Sequence, residues 1–227
     1  MTRGGRGVCA GGPRWYRCAV TKPRRSLIAA AAAVGAALLT GFAGGTTADP
    51  VDCRVVACAA LTFDGGPGPR TGAVLDVLAR KDAPAAFFVA GRGPVFRYPE
   101  LVRRMADEGH EVGNHTWTQP RLTDVPVAEA RRQLAQTQRV VEQVTGRRPR
   151  LMRPPQGLTN RQVGAVCREL GLVQVGWGAG GIVRVREGAD GAAVAEVVDG
   201  LRKRGVTLVS VERVVGARGV GAGGMYP

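Results

Sequence analysis

An aspartate at the end of a short apolar run is the first residue whose type and surroundings suit chemistry. Residues 59–63 (Ala-Ala-Leu-Thr-Phe) predict a buried strand, and Asp64 follows directly, with Gly-Gly-Pro-Gly-Pro after it. Such a carboxylate falls at a sheet edge, where α/β proteins hold their catalytic groups. The alternative is that Asp64 only caps the next segment, a frequent use of Asp before Gly and Pro. A phosphate-binding loop is disfavoured, because no Gly-Lys-Ser/Thr follows the glycines.

Three further polar or aromatic stretches each follow or complete a short strand-like run. Residues 113–120 read Gly-Asn-His-Thr-Trp-Thr-Gln-Pro, 153–157 read Arg-Pro-Pro-Gln-Gly, and 173–177 read Val-Gln-Val-Gly-Trp. They contribute an imidazole, a guanidinium and two indoles. Hydrolysis of an amide or ester at neutral pH needs an activated water, a general base, an electrostatic clamp for the oxyanion and an acid for the leaving group. Side chains of these types can fill several of those roles.

The segments between these groups predict alternating strands and helices. The predicted strands lie at 59–63, 85–90, 111–113, 150–153, 173–175 and 206–211. Helical periodicity is found at 71–80, 99–108, 127–145, 161–170 and 192–204, and a glycine follows most of these helices as a stop signal. This alternation predicts a parallel sheet or barrel.

In their order and spacing, the four stretches resemble the polysaccharide deacetylase (NodB-homology) family. The family motifs read roughly Thr-Phe-Asp-Asp-Gly-Pro, Asn-His-Thr/Ser-x-x-His-Pro, Arg-Pro-Pro-Tyr-Gly and a Trp-Asp segment. This sequence has Thr-Phe-Asp-Gly-Gly-Pro, Asn-His-Thr-Trp-Thr-Gln-Pro, Arg-Pro-Pro-Gln-Gly and Gly-Trp-Gly. The resemblance covers about residues 53–215 and implies an incomplete, distorted (β/α) barrel with its site at the strand carboxyl ends. It also implies metal-dependent hydrolysis of N- or O-acetyl groups on an acetylated polysaccharide or peptidoglycan.

The resemblance implies a site for a divalent metal, Zn²⁺ or Co²⁺, which this sequence carries only in part. Asp64 matches the catalytic base and His115 the first ligand histidine. Gly65 stands at the position of the ligand aspartate, and Gln119 replaces the second ligand histidine. Glycine offers no ligand atom, and an amide oxygen binds Zn²⁺ poorly. The only other histidine, His110, opens a strand and is expected to point elsewhere, so we expect metal binding to be weak.

The resemblance also supplies a partner for the base and a wall for the glycan groove. Arg153 matches the family arginine that pairs with the catalytic aspartate, here Asp64, although an arginine that only fixes a Pro-Pro turn is the alternative. The residues expected to bind substrate are Pro154, Pro155, Gln156, Trp117 and Trp177. Gln156 stands where the family usually has Tyr, and its backbone N–H can still face an oxyanion. Stacking on sugars is one use of the tryptophans, and core packing is the commoner one.

The last part of the family site is the most altered. After the Trp-Asp segment the family carries acids and a second Trp, whereas residues 178–184 here read Gly-Ala-Gly-Gly-Ile-Val-Arg. The family then has a strand that ends in His-Asp, whose histidine is the acid for the leaving group. Asp190 lies 13 positions after Trp177, and we expect both that strand and its histidine to be absent.

Length, composition and charge are those of a single basic domain. The chain has 227 residues, of which 44% are apolar, enough for one sizeable core. Of the 32 Lys and Arg residues, seven lie in residues 1–48, so the remainder carries 25 basic and 18 acidic residues. That balance suits an anionic cell-wall polymer, and no basic cluster interleaved with aromatics favours nucleic acid. We expect a monomer that binds a glycan and no nucleic acid.

The termini predict export and a loose tail. Residues 1–48 resemble a signal peptide with a long basic n-region, because basic residues precede an Ala/Leu-rich run at 27–43 and small residues follow. A cleaved signal is favoured over a permanent anchor, so contact with the membrane would be transient. The expected domain is 49–215, followed by a Gly-rich tail at 216–227 that frays. We expect a secreted or cell-wall-associated protein.

Three cysteines remain after the expected cleavage. Cys53 and Cys58 flank the first strand and, in an exported protein, are expected to form a disulfide; a reduced pair is the alternative for a cytosolic chain. Cys167 lies on an apolar helical face and is expected to be a buried small hydrophobe.

Three functional hypotheses follow. The first is a metal-dependent deacetylase whose activity is weak or lost, because ligands and the leaving-group acid are missing. The second is a glycan-binding pseudoenzyme. The third is a decayed gene product that folds poorly, since a missing strand would expose the edge of the sheet.

Overall fold

The structure, a computed structural model, describes residues 51–178, 180–186 and 188–227. The expected signal peptide at 1–48 lies outside the described residues. Within them, eight strands form one sheet: β1 Cys58–Asp64, β2 Ala85–Val89, β3 Glu111–Asn114, β4 Leu151–Met152, β5 Val173–Val175, β6 Ile182–Arg184, β7 Thr207–Leu208 and β8 Met225–Tyr226. The helices are α1 Thr71–Arg80, α2 Pro94–Arg97, α3 Pro99–Asp107, α4 Val127–Thr145, α5 Arg161–Glu169, α6 Gly191–Lys203 and α7 Val211–Gly216, with a 3₁₀ turn at Pro155–Gly157.

The sheet is parallel throughout and runs in the order β6-β1-β2-β3-β4-β5-β8, with β7 also paired to β1. Parallel strands bring their carboxyl ends to one edge. The sheet is also curled, because the arginine that follows β4 bonds directly to β1, three strands away in the order. In a flat sheet those strands would be about 14 Å apart. The α/β half-barrel expected from the sequence is confirmed.

The central strands are buried on both faces, which is why they read as apolar runs. One face of the sheet packs against helices α1, α3 and α6, with Leu61 and Phe87 in that core. The other face forms a second core with α7, in which Ala60, Phe88 and Tyr226 are buried. Alternation along β1 therefore sends neighbouring side chains to opposite layers.

The helix ends follow local capping chemistry. The side chains of Asn160 and Asp190 accept hydrogen bonds of 2.9 Å from backbone N–H groups of the first turns of α5 and α6. Helix α4 ends at Gly146, whose φ of 70° lies in the left-handed region that favours glycine. These signals set the starts of α5 and α6 and the end of α4, and the predicted helices lie within one or two residues of their observed bounds.

The structure contradicts the expectation that the strand after Trp177 is absent. Strand β6 is present and pairs with β1, with Ala60 opposite Ile182 and Thr62 opposite Arg184. Only six residues connect β5 to β6. An extended chain of that length spans at most about 20 Å. The connection between these strands is therefore short, and the strand itself is kept.

The Gly-rich tail and the last predicted strand also differ from expectation. Instead of fraying, the tail returns to the sheet, where Met225–Tyr226 pairs with β5 and the Tyr226 side chain is buried. The strand predicted over 206–211 is limited to Thr207–Leu208. It is followed by α7, because the Ser210 hydroxyl accepts a hydrogen bond from Arg213 N–H and begins the helix.

The cysteines lie as the sequence suggests. Cys53 and Cys58 form a disulfide that ties the segment before β1 to its first residue. Cys167 is fully buried, and burial raises the pKa of its thiol to about 12, so it is inert near neutral pH. Among the described residues no helix combines the length and apolar character needed to cross a membrane.

Candidate functional site

The four stretches singled out in the sequence meet at the carboxyl edge of the sheet. Asp64 ends β1, His115 follows β3, Arg153 follows β4 and Trp177 follows β5. Each is held by a strand end, so its position depends on strand pairing more than on loop conformation. This is the edge at which parallel α/β folds place their chemistry.

The buried pair of Asp64 and Arg153 is the centre of the site. Arg153 Nη1 donates hydrogen bonds of 2.8 Å to Asp64 Oδ1 and to the hydroxyl of Thr62. The guanidinium also donates to the carbonyl oxygens of Val175 and Gly176 and lies over the ring of Phe88. The Arg153 side chain is fully buried and that of Asp64 is 5% exposed. Arg153 therefore joins β1 and β4 to the end of β5. It does more than fix the Pro-Pro turn, which was the alternative considered from the sequence.

A second arginine, missed in the sequence, faces the same carboxylate. Arg184 Nε lies 2.9 Å from Asp64 Oδ2, so each carboxylate oxygen is ion-paired with a different guanidinium. Arg184 also lies over the ring of Trp177, 5.0 Å from its centroid, and is 41% exposed. The signal that could have found it is the strand-forming pair Ile182-Val183 immediately before it.

His115 is buried beside the carboxylate, and one of its ring nitrogens is fixed. Its Nδ1 lies 2.9 Å from the carbonyl oxygen of Arg153. A carbonyl oxygen can only accept, so Nδ1 carries the proton and Nε2 keeps a lone pair. Burial lowers the pKa of His115, against the opposing influence of Asp64, so the ring is neutral near pH 7.

The loop that carries His115 is held by buried amide side chains that the sequence did not reveal. Asn114 donates to the carbonyl of Leu134 on α4 and accepts from Thr116 N–H, whose residue has a left-handed φ of 66°. Gln133 accepts hydrogen bonds from two further N–H groups of the loop, at 2.9 and 2.8 Å. Polar residues on a helix usually face solvent, so nothing in the sequence pattern marks these as buried.

The residues expected to ligate a metal do not converge. Gln119 is exposed, with a left-handed φ of 57°, and Gly65 has no side chain. Among the described residues, no group of three His, Cys, Asp or Glu side chains could hold a metal ion. His115 alone is a strong ligand, while both oxygens of Asp64 are ion-paired with arginines. The residues present therefore do not fit the metal site of the family, and no reaction step is derived through a metal.

The residues expected to bind substrate, the two tryptophans and the Pro-Pro-Gln turn, differ in their surroundings and exposure. Trp177 lies against Gly157, where an added Cβ would come within 3.1 Å of its ring. Trp117 is half-buried beside Gly91 and meets Phe96 edge to face. In the turn, Pro154 and Pro155 are buried. Gln156 is exposed, with a φ of 59°. Both tryptophans are half-buried, and the guanidinium groups of Arg153 and Arg184 lie over the ring of Trp177.

Two other features complete the description. His110 is buried against Phe87 and precedes β3, at the opposite end of that strand from His115, and neither of its ring nitrogens has a hydrogen-bond partner within the described residues. A cavity of about 590 Å³ borders Asp64 on the side of Phe63 and Phe87, beneath the loop that begins at Gly65. His115 and the two tryptophans do not line this cavity.

The fold and the site define a half-barrel protein with a buried Asp–Arg pair at the carboxyl ends of parallel strands. The family model for polysaccharide deacetylase matches residues 52–175. A chitooligosaccharide deacetylase of Bradyrhizobium sp. (strain ANU 289) is 39% identical over 151 residues, which is 66% of this chain and 68% of that protein. This chain therefore belongs to the polysaccharide deacetylase family.

Other relatives match in part. The peptidoglycan-N-acetylmuramic acid deacetylase PdaC of Bacillus subtilis (strain 168) is 48% identical over 105 residues, which is 46% of this chain and 22% of that protein. A solved structure described as a T48 deacetylase with substrate superposes with a TM-score of 0.73 at 28% identity, covering 78% of this chain and all of the other. The chain spans about a quarter of the length of the peptidoglycan deacetylases it matches.

Proposed function

We propose that this protein binds an acetylated glycan at the carboxyl edge of its sheet and hydrolyses N- or O-acetyl groups weakly. The observation that carries the proposal is the buried Asp64–Arg153 pair, with His115 and Trp177 at the same edge. Family membership supports deacetylation as the reaction class. The substrates printed in the names of relatives, peptidoglycan and chitooligosaccharides, support a glycan of the cell wall or a related polymer.

The described residues can perform part of the hydrolysis. Trp117 and Trp177 offer apolar faces for sugar rings, and the guanidinium of Arg184 is exposed enough to meet a carbonyl oxygen. Two bases are close to one another, the Asp64 carboxylate and the lone pair of His115 Nε2. Both oxygens of Asp64 are ion-paired and the side chain is 5% exposed, which restricts the approach of a water. That restriction and the incomplete metal site are the reasons for expecting a slow reaction.

The location of the protein belongs to the same proposal. We infer that the protein is secreted or bound to the cell wall, as a monomer. The Cys53–Cys58 disulfide supports this inference, because disulfides persist in oxidising compartments. The basic balance of the residues after 48 also suits an anionic polymer.

Release of acetate tests the proposal directly. The purified protein, an Asp64→Asn variant and a Trp177→Ala variant are incubated with chitooligosaccharides and with peptidoglycan, and acetate is measured over hours. We expect slow release by the wild type, at least tenfold less with Asp64→Asn, and a raised KM with Trp177→Ala. Equal release by the wild type and Asp64→Asn would contradict a catalytic role for this edge.

A second candidate function is glycan binding without catalysis. The specific observation in its favour is Arg184, which occupies the second oxygen of Asp64. Under this alternative, the protein is retained on insoluble peptidoglycan or chitin and releases no acetate. Retention would persist in a chelator and fall in Trp177→Ala. Wild-type protein that is not retained at all would exclude it.

A further inference from the structure

The positive charge beside the second oxygen of Asp64 belongs to the chain itself. Arg184 Nε lies 2.9 Å from Asp64 Oδ2, on the side opposite to the Arg153 pair. We propose that the Arg184 guanidinium is the resident cation of this site, in place of a divalent metal, and that it binds a carbonyl or carboxylate oxygen of the ligand. Only the nature of that ligand, a glycan, rests on the proposed function.

Strand pairing fixes the position of this cation. Arg184 lies opposite Thr62 in the parallel pair of β6 and β1. Its backbone is therefore level with the residue two positions before Asp64 along β1. Its guanidinium then lies over Trp177, 5.0 Å from the ring centroid. An arginine held by an ion pair, an aromatic face and a strand register is preorganised, and few conformations remain for it to lose when it binds a ligand.

The guanidinium also has donors left for a ligand. Nε makes the ion pair with Asp64, and the side chain is 41% exposed. Within the described residues, Arg184 pairs with no second carboxylate, and the terminal nitrogens Nη1 and Nη2 donate no hydrogen bond. These nitrogens form a planar fork that matches carbonyl, carboxylate or phosphate oxygens. With Trp177 beneath it, the fork faces the same groove as the indole ring.

The same arrangement disfavours a metal. A divalent ion on Asp64 would have to displace Arg184 or lie within a few ångströms of two guanidinium groups, and like charges at such distances repel strongly. His115 would be its only other strong ligand, since Gln119 is exposed and Gly65 has no side chain. Arg184 therefore supplies a single positive charge at the place where the family resemblance implies a doubly charged metal ion. A guanidinium does not act as a Lewis acid.

Metal binding, measured without any glycan, tests this assignment. Wild type, Arg184→Gln and Arg186→Gln are stripped with chelator and titrated with Co²⁺, followed by visible absorption, and with Zn²⁺ by calorimetry. Arg186 is the matched control, because it is an exposed arginine two residues further along the chain. We expect no saturable binding by wild type or Arg186→Gln below 1 mM, and affinity at least tenfold higher in Arg184→Gln. Adding His115→Ala to Arg184→Gln should abolish the gain.

Two results would overturn the proposal. One is tight, stoichiometric Co²⁺ binding by the wild type that is lost in His115→Ala. This result can be obtained even if the Arg184→Gln variant does not fold. The other is the same gain in Arg186→Gln as in Arg184→Gln, which would reduce the effect to net charge. Retention on acetylated glycan should fall at least tenfold in Arg184→Gln and not in Arg186→Gln. If the wild type binds no glycan, the proposed function fails while the metal titration still decides the role of Arg184.

Discussion

At the scale of single residues, the site depends on a fully buried cation. The Arg153 guanidinium donates four hydrogen bonds, to the side chains of Thr62 and Asp64 and to the carbonyls of Val175 and Gly176. Burial lowers the pKa of its guanidinium, against the opposing influence of Asp64. Removing one partner of a buried ion pair leaves an uncompensated charge and unsatisfied carbonyls. Arg153 is thus a structural requirement as well as part of the site.

We predict that Arg153→Met destabilises the protein by about 3–5 kcal/mol, the cost of breaking a buried ion pair from one side. Arg184→Gln should cost under about 1 kcal/mol, because Arg184 is partly exposed and its pair is screened by solvent. Urea denaturation of both variants, with equal m-values, measures the difference. Similar losses for the two would mean that burial does not distinguish these arginines.

The sequence identified some of these residues and missed others for definite reasons. The pairing of Asp64 with Arg153 is what the family resemblance implies, because both residues match family motifs. Arg184 was missed because the segment around it departs from the family motif, and the register that places it opposite Thr62 depends on strand pairing. The left-handed backbone of Thr116 is likewise invisible, since a β-branched residue rarely adopts it.

At the scale of elements, α7 is attached to the sheet through a carboxylate. Glu111, at the start of β3, accepts hydrogen bonds of 2.6 and 2.8 Å from the N–H groups of Val211 and Glu212. Burial raises the pKa of Glu111 to about 7, and the two N–H donors oppose the shift. An acid whose pKa is raised in the folded state favours folding below its unfolded pKa. That contribution is lost as the pH rises through the folded value.

We predict that the Glu111→Gln variant gains stability relative to the wild type as the pH rises from about 5 to 8. The gain is at most about 3 kcal/mol, the free-energy equivalent of the pKa shift. His110 and His115 have lowered pKa values and give the opposite slope in both proteins, so comparison at each pH cancels them. Urea midpoints at pH 5, 6, 7 and 8 test this, with the exposed Glu196→Gln as control. A difference that does not change with pH would contradict it.

Elements with strong local signals were predicted well from the sequence. Helices α1 and α4 and strand β5 have the predicted bounds, because their apolar patterns are regular and α4 stops at Gly146. Strands β6 and β8 were missed because both are short and lie in glycine-rich segments, where a strand is not expected. Both owe their existence to pairing with strands that are distant in the sequence.

At the scale of the whole molecule, the sheet does not have the exposed edge that a missing strand would leave. Strand β6 is present and covers that edge of β1. Strand β8 covers β5, and Tyr226 is buried with its hydroxyl donating to the carbonyl of Gly180. This contact joins the last strand to the short connection between β5 and β6. The altered segment is therefore integrated in the fold.

We predict that the chain from residue 49 onward unfolds in one sharp, cooperative transition, and that Tyr226→Ala lowers its stability by about 3 kcal/mol or more. Tyr226→Phe is the matched control and should cost only about 1 kcal/mol, the worth of one hydrogen bond. Calorimetry and near-UV circular dichroism report the transitions. A broad, non-cooperative melt of the wild type would instead support a poorly folded gene product.

The pairing of β1 has a consequence for biogenesis. This strand is the first to be synthesised, yet its second edge is covered by β6 and β7, and Thr62 bonds to a residue 121 positions later. Contacts of such sequence separation form slowly, and an unpaired apolar strand attracts other chains until they do. β1 cannot complete its ladder until β6 has been made, about four fifths of the way along the chain. Until then its open edge can pair with other chains, so we expect folding to be completed only after synthesis of the last fifth.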